Sequence, residues 1–321
     1  MILGLIATLF GCGDGKPGLF SANGYHRGKD KVWYKASNGM GYSANELDGV
    51  DVATFSIRSL KSSINGQTSD FGIDATQVYY GADKIEGVDV ATFEYLYSGY
   101  TRDKNAVFYM SSLLTRDVTH FALVGDDFVR DAQNVYFGSN VFSDDAVHFA
   151  RVGGDCSDFY KDSRKCWHFI NEIHGADPAT LRYLGADYAA DANHLYHQTN
   201  PMEGADIHSF QILKDKYSKD ARHVYLESLP IEGADPASFR ILDAYHTLDA
   251  KRCYYSSQVI PDADPASFQL VESGYAKDAQ RVFLLGKAIE GADPGTFRVQ
   301  NNAAGISSDA SHYYSMWDRK D

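Results

Sequence analysis

The side chains able to do chemistry in this chain are mostly aspartates, histidines, cysteines and tyrosines, and they recur at fixed spacing. Aspartates fall at Asp74, Asp103, Asp131, Asp162, Asp191, Asp220, Asp249, Asp278 and Asp309, about 29 residues apart. A pair of carboxylates can serve general acid–base catalysis. An aspartate that returns in every unit at the head of a polar connector reads instead as a turn former, its carboxylate accepting backbone N–H groups two residues on. Asp262 and Asp264 form a D-x-D, but Asp262 stands where other units carry Gly, and a calcium ion needs about six to eight oxygens. His194, His223 and His312 share a slot with Lys, Gln, Asn and Arg, which marks a solvated turn position. His194 and His197 are three apart, a spacing that puts them on opposite faces of a strand rather than around a metal. The chain has no G-x-S-x-G, no phosphate-binding glycine loop and no paired C-x-x-C. The expectation is no catalytic residue, no metal ligand and no cofactor.

Cys166 and Cys253 occupy a slot held elsewhere by Val, so they read as buried, reduced thiols. They stand three repeats apart, which exceeds the ~7 Å Cα separation that a disulfide tolerates. Cys156 and Cys166 are closer, and a bridge between them in an oxidising compartment stays open. One aromatic also recurs per unit, at Tyr79, Phe108, Tyr136, Trp167, Tyr196, Tyr225, Tyr254, Phe283 and Tyr314. It reads either as inter-repeat packing or as an exposed stripe for glycan or peptide. Tyr136, Trp167, Tyr196, Tyr225 and Tyr254 are the candidate binding stripe.

These residues are positioned by a repeat. Asp220–Phe239 reads DARHVYLESLPIEGADPASF, Asp249–Phe268 reads DAKRCYYSSQVIPDADPASF, and Asp278–Phe297 reads DAQRVFLLGKAIEGADPGTF. In one unit, Phe239-Arg240-Ile241 alternates as a strand, Tyr245–Asp249 forms a second, Cys253–Tyr255 a third and Val259-Ile260 a fourth. Asp264-Pro265-Ala266-Ser267-Phe268 has an N-cap and a Pro at the first helical position, which predicts one turn of helix. The predicted class is all-β: tandem β-meander repeats of about 29 residues, each with that one-turn helix, stacked as an open superhelical array. A β-propeller is the alternative, although its blades usually take about 40–50 residues. The array is expected over residues 25–321, after a Gly-rich tether at 13–24 and an apolar segment at 1–12. The half unit after Asp309 reads as a C-terminal cap.

Hydrophobic residues make up 44% of the chain, enough for a packed interior. A formal net charge of −13 argues against nucleic acid as a partner, and against simple attraction to an anionic membrane. MILGLIATLFG is too short to span a bilayer, which needs about 20 apolar residues. Leu9-Phe10-Gly11-Cys12 resembles a bacterial lipoprotein cleavage box, which implies lipid at Cys12 and a place in the cell envelope, facing the periplasm or the exterior. The alternative is a buried N-terminal strand with a core cysteine, in a secreted or cytoplasmic protein.

DATQVYY at Asp74, DKNAVFY at Asp103 and GADPASF at Gly233 together resemble the bacterial DKNYY repeat family. That resemblance implies an envelope repeat protein with no catalytic residues or cofactor to carry over. The functional expectation is a non-enzymatic scaffold or binding surface for an envelope protein or glycan, touching membrane only through a lipid at Cys12. A glycan-active enzyme and an immunity or inhibitor protein are the alternatives. The enzyme would need two carboxylates off the repeat slots, converging in one pocket.

Overall fold

The computed structural model describes residue 16 and residues 21–37, 41–125, 127–272, 274–301 and 304–320. The 1–12 segment, Cys12 and most of the tether at 13–24 lie outside the described residues. The chain divides into two compact units, Met1–Phe149 and Ala150–Asp321.

Each repeat folds as a small antiparallel meander. In one, the strands Gln211–Ile212, Tyr217–Lys219, Val224–Leu226 and Leu229–Pro230 pair in chain order. Tyr217 lies opposite Leu226 and Ser218 opposite Tyr225. Among the described residues the first unit holds a three-stranded sheet followed by three four-stranded ones, and the second unit holds six four-stranded sheets. Within every sheet neighbours in sequence are neighbours in space, and no sheet among the described residues closes into a barrel. Such strands are too short to stand alone, so stability has to come from stacking.

Stacking accounts for the sequence slots. Tyr217, Val224, Ile231 and Ala234 of one sheet enclose Tyr254 of the next, with Phe239 and Ile241 packed against them. The Phe239 ring bridges the two sheets, its centroid 5.8 Å from Tyr217 and 6.4 Å from Tyr254. The same arrangement recurs where Phe297 lies 5.5 Å from Tyr275 and 6.4 Å from Tyr314. Eleven residues after each repeat aspartate but the last stands an apolar side chain, buried at Ile85, Ile173, Met202, Ile231, Ile260 and Ile289. In the last sheet that slot is Lys320, and the Val slot is Tyr313, both exposed. This gives the final sheet a polar outer face.

The first sheets are irregular. Between Phe55 and Asp74 the longer connection becomes two six-residue strands, Ser56–Lys61 and Thr68–Ile73. Gly72 allows this packing. A Cβ there would sit 2.8 Å from both the Phe55 and Tyr25 rings.

One predicted element is absent. The D-P-A-S/T-F segments form turns, and no helix occurs among the described residues. Ser238 N–H reaches only the Asp235 carbonyl, at 3.3 Å. A single i→i+4 bond closes at Leu181 to Asp177 and at Phe297 to Asp293. The aspartate and proline set up a helix start, but the next strand begins one residue after the Phe. Arg240–Ile241 is already paired, so no second turn can form.

Candidate functional site

The repeat aspartates are buried hydrogen-bond nodes. Asp220 Oδ1 accepts the N–H groups of Arg222 and His223, both at 2.7 Å. Its Oδ2 accepts the Asp206 N–H at 2.9 Å and the Tyr225 hydroxyl at 2.8 Å. Asp206 lies in the preceding inter-sheet turn, where its Oδ2 accepts the Ser209 hydroxyl at 2.6 Å. Ser209 Oγ in turn accepts the Ala221 N–H at 3.0 Å, which closes a ring of bonds. The ring recurs with Asp249, Asp235, Ser238, Ala250 and Tyr254. Each clasp therefore ties an inter-sheet turn to the next sheet.

Electrostatics follow from this geometry. Burial pushes the Asp220 carboxyl up. The N–H groups of Asp206, Arg222 and His223 and the Tyr225 hydroxyl outweigh it and bring the group down to about 2. Asp131, Asp191 and Asp249 are held below the usual carboxylate range by the same balance. Burial, and then its bond to Asp220, pushes the Tyr225 hydroxyl up. A carboxylate whose oxygens are filled by donors and whose charge is stabilised is a poor proton acceptor. These aspartates are structural.

The candidate stripe is corrected by burial. Tyr136 and Trp167 are 5% exposed, Tyr196 and Tyr225 1%, and Tyr254 0%. Tyr225 packs with Tyr188, Leu195 and Met202 of the preceding sheet, while Val224 faces Tyr254 of the following one. Both faces of a third strand are covered, so a ligand cannot stack on these rings without parting two sheets. Inter-repeat packing, the other reading, accounts for them.

The thiols of Cys166 and Cys253 are buried, and burial pushes both up to about 12. Cys156 is exposed and Cys166 buried, both free, with no bridge between them. His194 and His223 are partly exposed beside their repeat aspartates. No cluster of three His, Cys, Asp or Glu able to hold a metal occurs among the described residues.

Polar side chains outside the repeat slots line an open groove of about 730 Å³ in the first unit. Its floor is one face of the three-stranded sheet, where Tyr25, Tyr34 and Asn45 lie side by side in register and Ala36 lies opposite Ser43. Ile57, Ser69 and Asp70 of the next sheet form one wall. The turn Gly81-Ala82-Asp83, with Met110 and Ser111, forms the end. The Tyr25 and Tyr34 rings meet edge to face at 4.9 Å, and Tyr25 donates to the Tyr79 carbonyl at 2.8 Å. The Tyr34 ring rests near Gly81, 3.5 Å from where a Cβ would stand.

The side chains of Ser43, Asn45, Ser69, Asp83 and Ser111 make no hydrogen bond or ion pair among the described residues. Among the described residues no Lys or Arg lines the groove. Lys35, between Tyr34 and Ala36 on the same strand, points to the opposite face and donates to the Ser21 carbonyl at 2.6 Å. Sequence reasoning missed this site because its residues come from three sheets and share no spacing. The one signal available was the irregularity of the first repeats.

Comparison with known proteins places residues 17–112 and 188–317, together most of the chain, on the sequence profile described as the DKNYY family. Neither the curated proteins nor the solved structures contain a match.

Proposed function

The chain belongs to the DKNYY family, and from that premise we propose that it is a non-catalytic binding protein of the cell envelope, anchored by lipid at Cys12, whose recognition site is the groove of the first unit. One observation carries the reading. The repeat carboxylates are spent on clasps within the fold, whereas Ser43, Asn45, Ser69, Asp83 and Ser111, off the repeat slots and without a partner among the described residues, line a groove beside the irregular first repeats. A repeat array is suited to this division of labour, since its units hold a shape while a variant unit carries the contact.

Asp70 and Asp83 both line the groove and both lie outside the repeat aspartate slot. That pair keeps a glycan-active enzyme as the second reading. Asp70 is already engaged by the Ser59 hydroxyl, which favours a binding role. The test uses a photo-crosslinking residue at Ser43 in the groove and, in a separate protein, at Val147 on an exposed turn. In envelope extract an adduct is expected from position 43 and not from 147. Equal labelling from both positions, or none from 43, overturns the assignment of the groove.

A further inference from the structure

We propose that the groove binds a neutral oligosaccharide, an inference that rests on the reading of the chain as a binding protein. Three properties of the lining point to this chemistry. First, Tyr34 and Tyr80 are only partly buried at its surface. An aromatic ring presents a flat face with negative charge density, which suits the polarised C–H groups on one side of a pyranose. Second, the free polar groups are amide, hydroxyl and carboxylate. Asn45 offers two donors and an acceptor, while Ser43, Ser69 and Ser111 each donate and accept. Sugar hydroxyls need both functions at once, and a single charged anchor cannot supply them. Third, the only charges in the lining are the aspartates Asp70 and Asp83. With no Lys or Arg present, phosphate, sulfate and uronate groups would meet repulsion without a compensating cation.

The size fits as well, since about 730 Å³ falls within the usual range of ligand pockets, ~300–1,000 Å³. The groove is open to solvent rather than enclosed, which suits a chain ligand better than a buried monosaccharide. Its polar groups also need no rearrangement of the fold. Ser43 and Asn45 project from an edge strand, Tyr42–Glu46, whose pairing with Val32–Ser37 fixes their direction. Pre-set polar groups lower the ordering cost of binding.

The test is isothermal titration of the full chain with neutral oligosaccharides: maltotetraose, cellotetraose, mannotetraose and chitotetraose. A galacturonic acid tetramer is the anionic control. The variants are Ala36→Trp, which puts a bulky ring on the exposed floor, and Asn45→Ala, which removes a partnerless amide. Urea unfolding confirms that both remain folded. At least one neutral oligosaccharide is expected to bind the wild type, and to bind each variant about tenfold more weakly, the equivalent of roughly 1.4 kcal/mol. Failure of every neutral oligosaccharide to bind at millimolar concentration overturns the inference, as does equal affinity in both variants or preference for the uronate. If no saccharide binds but the cross-link at position 43 persists, the binding reading survives and this inference falls. Shortened oligosaccharides in the mass spectrum would keep the ligand class and overturn the non-catalytic reading.

Discussion

Replacing Asp220 by Asn removes one charge from a node where every partner is a donor. The amide oxygen can keep the Arg222 and His223 N–H groups. The amide nitrogen then faces Asp206 N–H, donor against donor, and can satisfy Tyr225 only if that hydroxyl turns to accept. Orphaning a buried N–H costs about 1–3 kcal/mol, and the surviving bonds drop from about 1.5–3 kcal/mol each to about 1 without the charge. Relief of carboxylate burial offsets part of this, which leaves a net loss of about 3 kcal/mol at pH 7. The pH dependence checks the figure independently. Asp220 is lowered from 3.8 to about 2 in the folded protein, so its contribution is present above the unfolded value and is lost as pH falls through the folded one. The full shift is worth about 2 kcal/mol. The variant has no group to titrate at this position, so the gap between the two proteins should narrow by about 1 kcal/mol at pH 3. Urea unfolding at pH 7 and pH 3, followed by circular dichroism, gives both numbers. A loss below about 1 kcal/mol at pH 7, or a gap that does not change with pH, would refute the clasp as drawn.

Five further outcomes are expected. Tyr225→Phe keeps the buried ring and loses one bond to a carboxylate, at a cost of about 1.5–3 kcal/mol; Asp278 beside Phe283 is the natural counterpart. Tyr225→Ser also opens a cavity and should cost about 3–5 kcal/mol in urea unfolding, whereas a stripe ring exposed to solvent would cost far less. Gly72→Ala places a methyl 2.8 Å from the Phe55 and Tyr25 rings, which should cost about 1–3 kcal/mol and disturb the groove floor. Iodoacetamide at pH 8 should label Cys156 and spare Cys166 and Cys253 until urea is added, as mass spectrometry of the peptides will report. Labelled fatty acid should attach to the wild-type chain in a bacterial host and be absent from Cys12→Ser; label retained in that variant would remove the anchor.

The scaffold was legible because stacking imposes a slot on each residue type. Asp220 as a turn former, Cys166 and Cys253 as small apolar side chains, and Phe239 as a packing residue all follow from recurrence plus elementary backbone chemistry. The burial of Tyr225 was less so. Alternation along a strand says that neighbours face opposite sides, and it does not say that both sides are covered. The five-residue spacing from Asp220 to Tyr225 held the missing clue, since the ring must lie over the turn for its hydroxyl to reach Oδ2. The D-P-A-S-F segments misled for a related reason. Their aspartates do cap N–H groups, as Asp264 accepts Ala266 N–H at 3.0 Å, but tertiary pairing of the next strand ends the turn before a helix can form. The groove was hidden because Asn45 belongs to the first sheet, Ser69 and Asp83 to separate strands of the second and Ser111 to a turn of the third, and only the fold brings them together.

The central claim is that two sets of polar residues do two separate jobs. It is tested by measuring urea stability and cross-linking yield from position 43 in one series of variants. Asp191→Asn, Asp220→Asn and Asp249→Asn form one set, and Asn45→Ala, Ser69→Ala and Asp83→Asn form the other. The clasp variants should lose stability and keep the cross-link, while the groove variants should keep stability within about 0.5 kcal/mol and lose the cross-link. A clasp variant that stays fully stable yet loses the cross-link would contradict the account, because a repeat aspartate would then be acting at the binding site rather than holding the sheets together.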